Sequence, residues 1–108
     1  MTRNVRVLGV HPVEAGEAVH LIEMVVEGNA DEFDFGEVTQ EDPTQPRTNW
    51  QVAYEEQLLG ESEDGATYAC FFHYVDVEKP LLTSFGPVKL PKPTKTPAHL
   101  QHIRYEPP

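Results

Sequence analysis

Cysteine occurs once in the 108 residues, as Cys70. A lone cysteine forms no internal disulfide, which excludes a disulfide-stapled secreted module. It also excludes zinc sites built from four cysteines or from a cysteine pair with a histidine pair. Basic residues are scarce: 8 Lys and Arg stand against 18 Asp and Glu, a formal charge of −10. A surface so acidic repels phosphate backbones, so no nucleic-acid partner is expected. Long apolar runs are lacking as well. The longest charge-free, apolar-rich stretch, 65–75, is about half the length of a bilayer-spanning helix. Residues 1–6 are followed by a short mixed run broken by Gly9, His11 and Pro12 rather than by the apolar core of a signal peptide, and no lipidation motif is visible. The expected setting is cytoplasmic, with no membrane contact. Seven scattered glycines form no phosphate-cradling loop, and there is no Gly-x-Ser-x-Gly elbow.

Apolar residues make up 39% of the chain, and aromatics are spread along it. That content supports a packed core and excludes wholesale disorder. The length suits a single domain, 1–108. Prolines divide it. None lies between Arg47 and Lys79, and seven follow from Pro80 onward. Because proline cannot donate to a β-ladder, residues 1–79 are expected to form a β core and 80–108 a wrapping segment. Leu81, Leu82, Phe85, Val88, Leu90, Leu100, Ile103 and Tyr105 would anchor that segment.

Alternation dominates the first part. Residues 5–13 read as a strand, 14–17 as a four-residue hairpin loop, and 18–27 as the returning strand. On the second strand Ala18, His20, Ile22, Met24 and Val26 share a face that belongs in the core. Val19, Leu21, Glu23, Val25 and Glu27 share the other, as in a sheet covered on part of its outer side. Residues 28–31 read as a turn. Phe33 to Val38 reads as a strand whose phase slips at Gly36, the mark of a β-bulge, and 39–49 as a long loop. Residues 50–59 admit two readings: a helix capped at Thr48–Asn49 and stopped by Gly60, or a strand joined by a 61–65 turn to the strong strand 66–75. The strand is preferred. Short strands are expected at 81–85 and 87–90 around Gly86–Pro87. A helical turn with Thr96 as its cap and an edge strand at 102–106 would follow. The fold class is mainly β, or α+β with one short helix: a compact antiparallel sandwich or partly open barrel with the proline-rich segment packed on it.

Chemistry is sparse. The acidic stretch 31–37 fails calcium-loop spacing, since aromatics occupy alternate ligand positions. His99-x-x-His102 could meet on one helical face, but it needs further ligands such as His73 or Asp76. His11 and His20 complete the histidine set, and no metal site or cofactor is expected. Cys70 lies in the most apolar run and, on a strand, points away from His73. Glu55 and Glu56 would point to opposite faces, so they share no acid–base site. No enzyme is expected.

Charge placement carries the functional reading. Residues 31–65 hold eleven acids and only Arg47, a net of −10, while the flanking segments cancel. Trp50 and Tyr54 beside Glu55, Glu56, Glu61, Glu63 and Asp64 have the composition of an aromatic-centred, acid-rimmed interface, although both aromatics would equally suit a core. The expectation is a non-catalytic module that binds a basic surface of a protein partner, of the adaptor, inhibitor or immunity kind. The alternatives are a small-ligand or metal domain using His, Asp and Glu clusters, and an acidic nucleic-acid mimic. Exposed strand edges could pair two copies into a homodimer.

Overall fold

The computed structural model describes residues 3–14, 18–40, 56–73 and 75–105. Half of the described residues are strand, and no helix among them reaches seven residues, as the alternating pattern predicts. Strands β1 (Asn4–Glu14), β2 (Ala18–Glu27), β3 (Gln57–Ser62) and β4 (Gly65–His73) form one open antiparallel sheet in the order β1-β2-β4-β3. Strands β5 (Leu81–Thr83) and β6 (Gly86–Val88) form a separate hairpin.

The two faces of β2 fall as its sequence period requires. Ile22, Met24 and Val26 join Val5, Val10, Cys70 and Phe72 in the larger core. Val19 and Leu21 join Ala69 and Phe71 in a smaller one on the opposite face. A cover packs on each. Over the larger core lie Phe33, Val38, Leu81 and Leu90, drawn from the 29–40 and 75–90 segments. Over the smaller lie Leu100, Ile103 and Tyr105, beside Val19 and Leu21. Full burial of a side chain such as Leu81 or Leu100 stabilises by about 1.5–3 kcal/mol.

Several local expectations need correction. Residues 33–38 are not a strand. A 3-10 turn, Phe35–Glu37, stands there, preceded by another at Ala30–Glu32. Asn29 Oδ1 accepts from the Asp31 N–H at 3.1 Å, and Asp34 Oδ1 accepts from the Gly36 N–H at 2.9 Å. Short Asn and Asp side chains offer the backbone these local bonds in place of a ladder. The apolar alternation then serves a cap: Phe33 stacks edge-on against Phe35 and Phe85 at 4.7 and 5.2 Å. The first hairpin pairs Glu14 with Ala18, so β1 runs one residue further than read. The second turn is Glu63–Asp64 alone, because β3 continues to Ser62. Gly65 is required there, since a Cβ would lie 2.2 Å from the Val26 carbonyl oxygen. The β5–β6 turn falls at Ser84–Phe85, not at Gly86–Pro87, with Gly86 at φ 104° inside β6. Thr83 Oγ1 fixes it by accepting from the Phe85 N–H and donating to the Gly86 carbonyl. A 3-10 turn does follow Thr96–Pro97, at Ala98–Leu100, but Pro97 holds the cap position and no side chain caps it. Of the expected edge strand 102–106, His102 stands in a turn, residues 103–105 are irregular, and Glu106 lies outside the described residues.

Two clasps hold the covers. The buried Gln40 amide donates to the carbonyls of Asp76 and Lys79 at 2.8 and 3.0 Å and accepts from the Asp76 N–H at 2.9 Å. Beside it, Thr39 and Leu82 exchange backbone hydrogen bonds of 3.0 and 2.7 Å. The second clasp lies on the outer edge of β1. Thr94 N–H donates to the Val10 carbonyl at 2.9 Å, and His11 Nδ1 lies 3.1 Å from the Thr94 carbonyl oxygen and 3.2 Å from its hydroxyl. There the proline-rich segment crosses from the larger core to the smaller.

Candidate binding surface on the β3 edge

Among the described residues, strand β3 is the terminal strand opposite β1. Its register against β4 sets Leu58 opposite Tyr68 and Glu61 opposite Ala66, with Leu59 as the extra residue of a bulge. Opposite residues in a ladder share a face, so Leu58 and Glu61 lie on the side of the larger core. Leu59 turns the other way and packs against the smaller core. Glu56, two residues before Leu58, falls on the Leu58 side by the same period. Its charge acts on both Tyr68 and Cys70, which sit on that side. Leu58 is 52% exposed. Tyr68 is half-buried, and its ring meets Phe35 edge-on at 4.9 Å.

Acids rim this apolar strip. Burial first, then the charges of Glu56, Glu61 and Asp31, push the Tyr68 phenol above its ordinary range, so it stays a neutral donor. Glu61, Glu63 and Asp64 are exposed and Glu56 is half-buried. No Lys or Arg occurs from 56 to 73. Of the residues expected to form the interface, Trp50, Tyr54 and Glu55 lie outside the described residues. The other four converge on the β3–β4 hairpin. Tyr68, Phe35 and Leu58 supply an apolar centre that was not assigned to an interface from the sequence. The alternation of Glu56 with Leu58, set against Tyr68 by the hairpin register, carries the signal that could have found it.

The chemical alternatives have these positions. Burial, and secondarily Glu56, raise the Cys70 thiol, holding it neutral and unreactive. His73 lies on the opposite face, with Nε2 3.2 Å from the Tyr105 hydroxyl. His99 Nε2 lies 3.1 Å from Glu23 Oε1, while His102 is exposed in the following turn. His20 is held below its ordinary pKa by burial, and its Nδ1 is buried without a hydrogen-bond partner. Among the described residues, no three His, Cys, Asp or Glu side chains gather as a metal site would require. Asp31, Glu32, Asp34 and Glu37 point to solvent around their turns. An open cleft of about 630 Å³ lies between Val77–Pro80 and Pro87–Leu90, with Glu78, Lys79 and Lys89 among its lining residues. Among the described residues, no helix is long and apolar enough to cross a membrane.

Comparison with protein-family models finds no match, and comparisons with curated proteins and with solved structures find none either.

Proposed function

We propose that this chain is a small, non-catalytic binding module that recognises a basic surface of a protein partner, as an adaptor, inhibitor or immunity protein does. One observation carries the reading: an apolar strip of exposed Leu58 and half-buried Tyr68 is ringed by Asp31, Glu56, Glu61, Glu63 and Asp64, on a hairpin without Lys or Arg. Apolar anchors within a charged rim are the common anatomy of transient interfaces. The rim supplies steering, which raises the association rate and sets partner choice. The same reading assigns a cytoplasmic setting. Affinity capture with mass spectrometry, followed by kinetics with the purified partner, tests it. Association should slow as salt rises, because exposed charges are screened beyond about 8–10 Å at physiological ionic strength. Changing Glu55, Glu56, Glu61 and Glu63 to lysine should slow it further with the fold retained. A partner that binds the quadruple variant as quickly would end the proposal.

A second reading has its own observation. The cleft beside β6 has an apolar lining of Val77, Pro80, Pro87, Val88 and Leu90 with lysines among its lining residues, suited to a small apolar anion. A metabolite co-purifying in place of a protein would favour it.

A further inference from the structure

The two outer edges of the sheet differ in what covers them. That of β1 is engaged by Thr94. Among the described residues, no strand pairs with the outer side of β3, and five of its six residues are exposed. An uncovered edge presents a row of unpaired N–H and C=O groups, a template for another strand.

The side chains on that edge select what may pair. On the larger-core side the order is Glu56, Leu58, Glu61: acid, apolar, acid. A second copy of the same strand would bring Glu56 and Glu61 to within about a strand spacing, ~4.8 Å, of like charge, each facing itself in a parallel in-register pair or the two facing each other in an antiparallel one. Like charges directly opposite oppose pairing. The bulge at Leu59 further discourages flat self-association. For a cationic strand the same acids attract.

We propose that the β3 edge captures an extended segment of the partner protein by strand addition, and that this segment presents a basic, an apolar and a basic residue on one face. The apolar residue lies beside Leu58 and Tyr68, and the basic residues meet Glu56 and Glu61. This inference rests on the acidic-surface reading above but adds a backbone mode of recognition to it.

Amide NMR with synthetic peptides separates the two. The probe is Thr-Lys-Thr-Val-Thr-Lys-Thr, compared with the same sequence N-methylated at every internal residue, which keeps its charges and loses its backbone donors. The parent peptide should shift amides across residues 57–62 and their β4 partners. The methylated peptide should bind at least roughly tenfold more weakly, and Glu61→Lys should weaken the parent by roughly the same factor. Leu58→Ser, an exposed position, provides a second variant, and each variant's own spectrum verifies its fold. Equal binding of the methylated peptide overturns strand addition and leaves the acidic surface standing. No binding of the parent at low salt, with the spectrum intact, overturns both at this site.

Discussion

Strands β1 and β3 bound the same sheet, and their outer edges follow opposite strategies. Along β1 a later segment lies against the edge: Thr94 bonds to Val10 and His11, prolines flank it, and Leu100 is buried on the far face. Along β3 the protection is chemical. A bulge, Glu61 on the strand with Glu56 just before it, and a glycine oppose pairing with a like strand, while among the described residues no strand covers the backbone edge. A steric cover closes an edge to every partner, whereas an electrostatic guard closes it only to like charge. That difference suggests why the acid excess gathers in the middle of the chain and the bases in its last third.

The sharpest way to break the contrast is Leu100→Ala. Leu100 has no exposed surface and anchors the smaller core. Its truncation should cost about 2–5 kcal/mol in a urea titration and should make β1 as sticky as a bare edge, visible as concentration-dependent sedimentation. A loss under ~1 kcal/mol would show that the cover contributes little. Gly9→Ala should act at the clasp itself. Its Cβ would lie 2.6 Å from His11 Nε2, so the ring must shift from Thr94, at about 1–3 kcal/mol. Unchanged stability would mean that the His11–Thr94 contact is dispensable.

Acid should act on the sheet beside the clasp. His20, opposite Pro12, has its pKa lowered from 6.5 by burial. Below about 6.5 the unfolded chain therefore binds more protons than the folded one, and stability falls as pH drops through that value. His20→Gln should flatten this part of the urea-midpoint profile between neutral and mildly acidic pH. An unaltered profile would remove His20 as its source. The smallest effect on stability belongs to the open edge. Leu58→Ser should change unfolding free energy by no more than about 0.5 kcal/mol, yet weaken partner binding. A large destabilisation would instead reveal Leu58 as a packing residue.

Much of this architecture was legible because period two is a strong signal where both faces of a strand are covered. The assignment of Ile22, Met24 and Val26 to one core and of Val19 and Leu21 to another follows from alternation alone. It fails where one residue is added. Leu8 is a bulge between Val7 and Gly9, so Val10 rejoins Val5 and Val7 on the larger core while His11 turns to the smaller. An inserted exposed leucine leaves no mark in composition. Phe33 and Phe35 mislead for another reason: Asn29 and Asp34 capture local N–H groups, and aromatic alternation is kept by a cap as readily as by a strand. The clasp was beyond reach, since His11 and Thr94 are 83 positions apart. For the candidate surface, the acids at 56, 61, 63 and 64 were legible from charge, while its apolar centre required the β3–β4 register.

The separation of His11 from Thr94 also has a consequence in time. A ribosome makes this chain from its first residue onward, so all four strands of the main sheet emerge before the segment that closes β1. During that interval Val19, Leu21 and Phe71 lack Leu100 above them, and the β1 backbone lacks Thr94 beside it. Exposed apolar surface and unpaired strand edges are what folding intermediates aggregate through. A sheet that forms before residues 94–105 dock therefore exposes both the smaller core and the β1 edge to self-association.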